Sequence, residues 1–290
     1  MTHRVRAVPL AVWAATAVGL WLPACKSDQA KTRPAAKSEA SSATTPEAEP
    51  KSDAQLPAPA RHPGPIPTET TQLIVSVADG WQSPTARMTR YEREPGGAWS
   101  EVGESWPSVL GARGLAWGRG LHGVTRPSQV GGPQDPIKRE GDGRSPAGVF
   151  SLGASYGYAD QPPPGTEIDY HKVGPTWVCV DDSTSKHYNR VFDGEGMAVD
   201  WASAEVMRRR DDLYRWVVFV DHNVDFTTDG GSCIFLHVWR NPHSGTAGCS
   251  AMASSHMEEL LGWLLPQARP VLVQLPQLHY QALRQLWRLP

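Results

Sequence analysis

The 290-residue chain changes character abruptly near residue 70, and that break limits how much of it can fold. Between Lys26 and Glu69 there is no Phe, Trp or Tyr, and eight prolines interrupt a run of Ala, Ser, Thr and mixed charges. Such a segment cannot bury enough apolar surface to offset the entropy of ordering it. Ten of the twelve tryptophans fall at Trp81 or beyond. The expectation is one folded domain over 71–290, carried on a flexible tether over 26–70 whose span as a coil is about 35–40 Å.

Residues 1–25 read as an export signal. Arg4 and Arg6 precede an apolar stretch from Ala7 to Leu22 that is shorter and more abruptly ended than a membrane span. It closes on Leu22-Pro23-Ala24-Cys25, which resembles a bacterial lipoprotein signal. The resemblance implies cleavage before Cys25, lipidation of that residue, a membrane partner through the N-terminal lipid anchor, and a place in the cell envelope. Lys26 after the cysteine points to the periplasmic face of the outer membrane in a Gram-negative host.

Charge excludes one large class of partner. With 28 Lys and Arg against 30 Asp and Glu, and no basic run beyond Arg208-Arg209-Arg210, the chain lacks the clustered positive face that nucleic acid requires. That triplet reads as an exposed helix end. Cysteines at 25, 179, 233 and 249 match no zinc-ribbon spacing. In an oxidising compartment Cys179 and Cys233 could form a disulfide; otherwise they are buried thiols.

Within the domain, short runs rich in Val, Ile, Leu and aromatics alternate with Gly/Pro punctuation, as strands do. They are Leu73 to Ala78, Trp106 to Leu110, Val149 to Leu152, Trp177 to Val180, Tyr214 to Val220, Ile234 to Trp239 and Val271 to Leu275. Helical signals come late. Ser255-His256-Met257-Glu258 has capping-box spacing ahead of Leu260, Leu261, Leu264 and Leu265, and Pro276 to Arg288 reads as a terminal helix. A mainly β domain with a few short helices follows. Most tryptophans are expected in its core, and His222 beside Asn223 is expected to serve structure.

Chemistry concentrates in one stretch. Ile234 to Arg240 is a β-type run that delivers His237 to its end, and a loop containing Thr246-Ala247-Gly248 then returns Cys249. Nucleophilic acyl transfer needs this combination: a thiol, an imidazole to take its proton, and backbone N–H groups for the oxyanion. Gly248 removes bulk beside the thiol, and a helix N-terminus just downstream would favour thiolate. A buried structural cysteine near an unrelated histidine remains the competing interpretation. His237, His243, Cys249 and His256 form a loose His/Cys series, but at spacings that match no common zinc pattern, so no metal or other cofactor is expected.

A histidine ending a strand, followed by Ser/Thr-X-Gly-Cys, resembles the catalytic signature of the L,D-transpeptidase (YkuD-like) family of bacterial cell-wall enzymes. The block Lys138-Arg139-Glu140-Gly141-Asp142-Gly143-Arg144-Ser145-Pro146-Ala147-Gly148-Val149-Phe150 resembles that family's upstream segment. The resemblance covers roughly 71 to 275 and implies a YkuD-like β-sandwich or barrel. It also implies that Cys249 is the nucleophile, His237 the general base, and Thr246, Ala247 and Gly248 the oxyanion loop. Peptidoglycan stem peptides would be the partners, joined by transfer of the third residue's acyl group to an amine. Hydrolysis of the same bond, or wall binding without catalysis, are the alternatives. Two positions and one spacing depart from the family pattern: Ala247 stands where many members have His, Val238 stands where Gly or Ser is often found, and the His-to-Cys interval is short. His243 is an alternative base, and Lys138 and Arg139 are candidates for holding stem carboxylates.

Overall fold

The computed structural model describes residues 64–124 and 126–290. Cys25, the export segment and most of the expected tether lie outside the described residues. From Gly64 onward the chain is packed. Ile66 and Thr70 are buried, and the Arg93 guanidinium donates to the Thr70 and Pro67 carbonyls.

The first strands are β1 (Gln72–Ala78), β2 (Thr85–Glu92), β3 (Ser100–Val109) and β4 (Leu115–Trp117), followed by the long β5 (Ser145–Gly157). Five short strands come next: β6 (Tyr170–Lys172), β7 (Trp177–Val180), β8 (Val191–Asp193), β9 (Ala204–Val206) and β10 (Val217–Val220). The chain ends with β11 (Phe235–Val238), β12 (Ser250–Met252), α1 (Ser254–Trp263), β13 (Val271–Pro276) and α2 (Gln277–Leu283). The main sheet runs β10-β11-β12-β3-β2-β1-β13-β5-β4, and β5 also pairs with β10. The path therefore returns on itself as a barrel, the mainly β architecture that the sequence predicted. A separate sheet, β8-β7-β9, stands beside it.

Strand residues alternate between two apolar layers because successive side chains point to opposite faces. Ile74, Phe150 and Leu272 join Met257, Leu260 and Leu261 of α1. Leu73, Val149, Val271 and Val273 join Leu283 of α2 and Trp287. Covering both faces is what makes β1 and β13 read as continuous apolar runs.

Several local expectations need correction. Strand β2 has no apolar run; only Met88 and Arg90 of its eight residues are buried, so its pairing with β1 and β3 defines it. Tyr214 precedes β10 instead of opening it. The capping box does not form. Helix α1 starts at Ser254 with Ala253 at its N-cap and no side-chain cap, and the Ser254 hydroxyl instead donates to Glu258 Oε1 at 3.2 Å. Arg208 to Arg210 lie in irregular chain with no helix to end, and the terminal helix stops at Leu283. Trp106, Trp117, Trp216 and Trp287 are buried, whereas Trp81, Trp99, Trp177, Trp201, Trp239 and Trp263 are only partly buried, so fewer tryptophans than expected fill the core. His222 is spent on backbone: its Nδ1 accepts from Arg119 N at 3.2 Å and its Nε2 donates to the Gly230 carbonyl at 3.0 Å.

Candidate active site

Cys249 sits at the entry to β12, where parallel pairing sets Leu236 against Ser250 and hence the thiol beside Phe235. The Phe235 N–H donates to Sγ at 3.3 Å, and the thiol donates to the Cys233 carbonyl at 3.5 Å. His237 follows two positions beyond Phe235, so both side chains leave β11 on one face and meet the Tyr214 ring at 5.2 Å and 5.5 Å. The His237 Nδ1 lies 2.8 Å from the Val238 carbonyl. A carbonyl can only accept, so the Val238 contact favours the proton on Nδ1 and Nε2 as the basic nitrogen, while the Leu213 carbonyl also faces the ring.

The upstream block supports the thiol loop from behind. The Ser145 hydroxyl donates to the Cys249 carbonyl at 2.8 Å while accepting from Gly111 N, and the Thr246 hydroxyl donates to the same carbonyl at 2.6 Å. Gly248 lies against this block, where an added Cβ would meet the Arg144 carbonyl at 3.2 Å. That close approach explains the glycine. Lys138 is buried beneath, its ammonium donating to Asp142 at 2.6 Å and to the Arg139 carbonyl at 2.7 Å.

A cleft of about 360 Å³ opens over the thiol, lined by His237, Thr246, Ala247 and Cys249 on the barrel side and by Glu205, Arg209, Leu213 and Tyr214 opposite. Of the predicted loop residues, Gly248 lies just beneath this lining, and its N–H already donates to the Thr246 hydroxyl at 3.1 Å. Among the described residues no hydrogen bond joins Cys249 to His237. Apo sites often hold their catalytic groups apart in this way. Both groups are neutral at rest: burial lowers the His237 pKa to about 4 and pushes the Cys249 thiol well above its ordinary value, with Glu205 adding to the rise. The expectation of a helix N-terminus favouring thiolate is corrected, because β12 separates Cys249 from α1.

Three predicted residues are not brought here. His243 is exposed on the loop, with its N–H on Asn241. His256 stacks on Trp106 at 5.1 Å. Arg139 is exposed outside the cleft because the Lys138–Asp142 pair and the Arg139 N–H to Asp142 bond turn its loop away. Glu205, Arg209 and Tyr214 were missed. Only tertiary contact assembles them, and their sequence surroundings gave no signal beyond a basic triplet and a strand-like run.

Cys179 and Cys233 are joined by a disulfide spanning 54 positions, with Cα atoms 5.9 Å apart. Cys233 itself has φ 53°. The bond therefore holds the residue whose carbonyl takes the Cys249 thiol, and it ties β7 to the approach of β11.

Residues 84–273 match the family model of the YkuD L,D-transpeptidase catalytic domain. The chain belongs to this family of L,D-transpeptidase-type peptidoglycan enzymes. No curated protein matches the sequence.

Proposed function

We propose that Cys249 is the nucleophile and His237 the general base of an L,D-transpeptidase that cleaves after the third residue of a peptidoglycan stem peptide. The observation that carries this reading is the cleft shared by the only free cysteine among the described residues and a buried imidazole whose Nδ1 is turned to the Val238 carbonyl. Because both groups rest neutral, the proton moves as the sulfur attacks, not beforehand. Sγ leaves the Cys233 carbonyl, gives its proton to His237 Nε2 and bonds to the stem carbonyl. His237 returns the proton to the departing D-amino acid, leaving a thioester. An amine from a neighbouring stem then takes the acyl group, giving a cross-link between third residues.

Ser145 and Thr246 fix the Cys249 carbonyl and so the orientation of the loop peptides. The Cys249 N–H is the proposed oxyanion donor. Gly248 keeps the loop close, since its own N–H serves Thr246. Arg139 has no part in this proposal.

Incubation of the full chain with tetrapeptide muropeptides, followed by mass spectrometry beside Cys249→Ala, tests the reading. Loss of one D-amino acid with dimer formation supports it, and loss without dimers makes the protein an L,D-carboxypeptidase. Muropeptides left intact by a folded wild type would favour wall binding without catalysis.

The proposal also has the enzyme exported and anchored by lipid at Cys25, on the periplasmic face of a Gram-negative outer membrane. The motif Leu22-Pro23-Ala24-Cys25 supports this. Metabolic labelling with a fatty acid should mark the wild type and not Cys25→Ala.

A further inference from the structure

Glu205 is out of place if the cleft serves only to activate a thiol. A carboxylate facing the sulfur opposes thiolate formation, and Glu205 does raise the Cys249 pKa. Yet its position is secured. It lies in the β8-β7-β9 sheet, paired directly opposite Cys179, whose disulfide to Cys233 ties that sheet to the thiol's own carbonyl acceptor. Directly paired side chains share a face, so the bond holds Glu205 to the cleft.

Its partners are incomplete. Oε2 accepts the Tyr214 hydroxyl at 2.5 Å. Among the described residues no Lys, Arg or His forms an ion pair with it; the nearby Arg209 is held by both oxygens of Asp211 at 2.8 Å. Arg209 lines the same cleft and acts on Glu205 from a distance, but with its guanidinium on Asp211 it leaves Glu205 Oε1 without a cationic contact, a place that a cationic ligand would complete.

We propose that Glu205 binds the ammonium group of the acyl acceptor and takes its first proton, making this carboxylate the element that favours transfer over hydrolysis. The inference rests on the reading of Cys249 as nucleophile. An ammonium must lose two protons to become an amide. One goes to the Glu205 carboxylate and then to solvent. As the C–N bond forms and the C–S bond breaks, the other passes through His237 to the departing sulfur, regenerating the thiol. Burial raises the Glu205 pKa, which suits a carboxylate for accepting a proton.

The test uses the full chain, a tetrapeptide muropeptide as donor, and two small acceptors in competition. Glycinamide presents an ammonium in equilibrium with its amine, whereas hydroxylamine is neutral. Glu205→Gln keeps the shape and can still accept from Tyr214 but cannot hold charge. The expected result is a glycinamide-to-hydroxylamine product ratio about tenfold below wild type, as for loss of one charge-assisted contact. A merely structural role for Glu205 would slow both acceptors together. If Glu205→Gln does not fold, the wild type supplies the contrast: it should favour glycinamide beyond the two amines' relative reactivity toward a free thioester. An unchanged ratio in the variant, or parity with the free thioester in wild type, overturns the inference and leaves the nucleophile intact. Failure of wild type to form any thioester brings down the Cys249 reading, and this one with it.

Discussion

The two walls of the cleft are built differently. On the barrel side, Cys249 and His237 are held by backbone pairing of β11 with β12 and by hydroxyls of Ser145 and Thr246, over a core closed on both faces. The opposite wall hangs on short strands, and a single covalent bond, Cys179–Cys233, connects it to the thiol strand. A wall of the first kind fixes atoms because many weak interactions agree. The second has fewer ties: besides the disulfide, the Leu213 carbonyl accepts from Val238 N at 3.2 Å and the Tyr214 ring packs on Phe235 and His237.

The sharpest way to separate the walls is to remove chemistry from each. Cys249→Ala should abolish release of the D-amino acid altogether. His237→Gln should slow it by about 10²–10⁴-fold, the usual contribution of a general base. Mass spectrometry of muropeptide products checks both. Glu205→Gln, by contrast, should redirect products between acceptors.

Cutting the tie comes next. Replacing Cys179 and Cys233 together by Ser should cost roughly 4 kcal/mol, the loop-closure value for a 54-position span, read by urea denaturation. Reductant should have the same effect reversibly. Since Cys233 carries the carbonyl that receives the thiol, the alkylation rate of Cys249 should change as well. An unchanged rate would mean that the tie supports only the outer wall.

Acid should strike the barrel side. Burial lowers the pKa of His237 and His122 to about 4 and that of His222 to about 3, against an ordinary 6.5. Unfolded chains bind these protons at higher pH than the folded one does. Stability therefore falls as pH drops from about 6.5 toward 4, by on the order of 2–3 kcal/mol per ring, and thermal melts across that window would show it. Cys249 acts in the opposite range. Its raised pKa keeps it protonated in the fold, so alkaline pH favours the unfolded state and thiol alkylation should keep rising beyond the pH at which a free cysteine levels off.

Smaller effects sharpen the picture. Ser145→Ala should cost about 1–3 kcal/mol, because it strips a partner from the Gly111 N–H and from the Cys249 carbonyl. Chemical denaturation gives the stability, and the rate of D-amino acid release shows whether the loop has shifted. Arg240→Ala should change stability by no more than about 0.5 kcal/mol, since its pair with Asp211 is exposed and 3.9 Å long.

Much of the barrel wall was legible in the sequence. The apolar runs marking β1, β11 and β13, and Val149 and Phe150 within the otherwise Ser- and Gly-rich β5, persist in the structure because positions covered on both faces must be mostly apolar. Legibility fails where pairing, not composition, decides. Strand β2 presents Thr85-Ala86-Arg87-Met88-Thr89-Arg90-Tyr91-Glu92, whose charges disguise a strand held by two neighbours. The capping-box spacing misled because a local pattern can be satisfied by a different start, here Ser254.

The sequence by itself determined the β character of the domain, the family block from Lys138 to Phe150, and the placing of His237 on a strand and Cys249 in the loop that follows it. Those features depend on neighbours along the chain. Only the tertiary structure decided that Cys179 meets Cys233, that Arg139 and His243 stay outside, and that Glu205 and Tyr214 face the thiol. Contacts across 54 or 44 positions leave no periodicity in the sequence, since Cys179–Cys233 and Glu205–Cys249 are brought together by sheet pairing and a disulfide rather than by local turns.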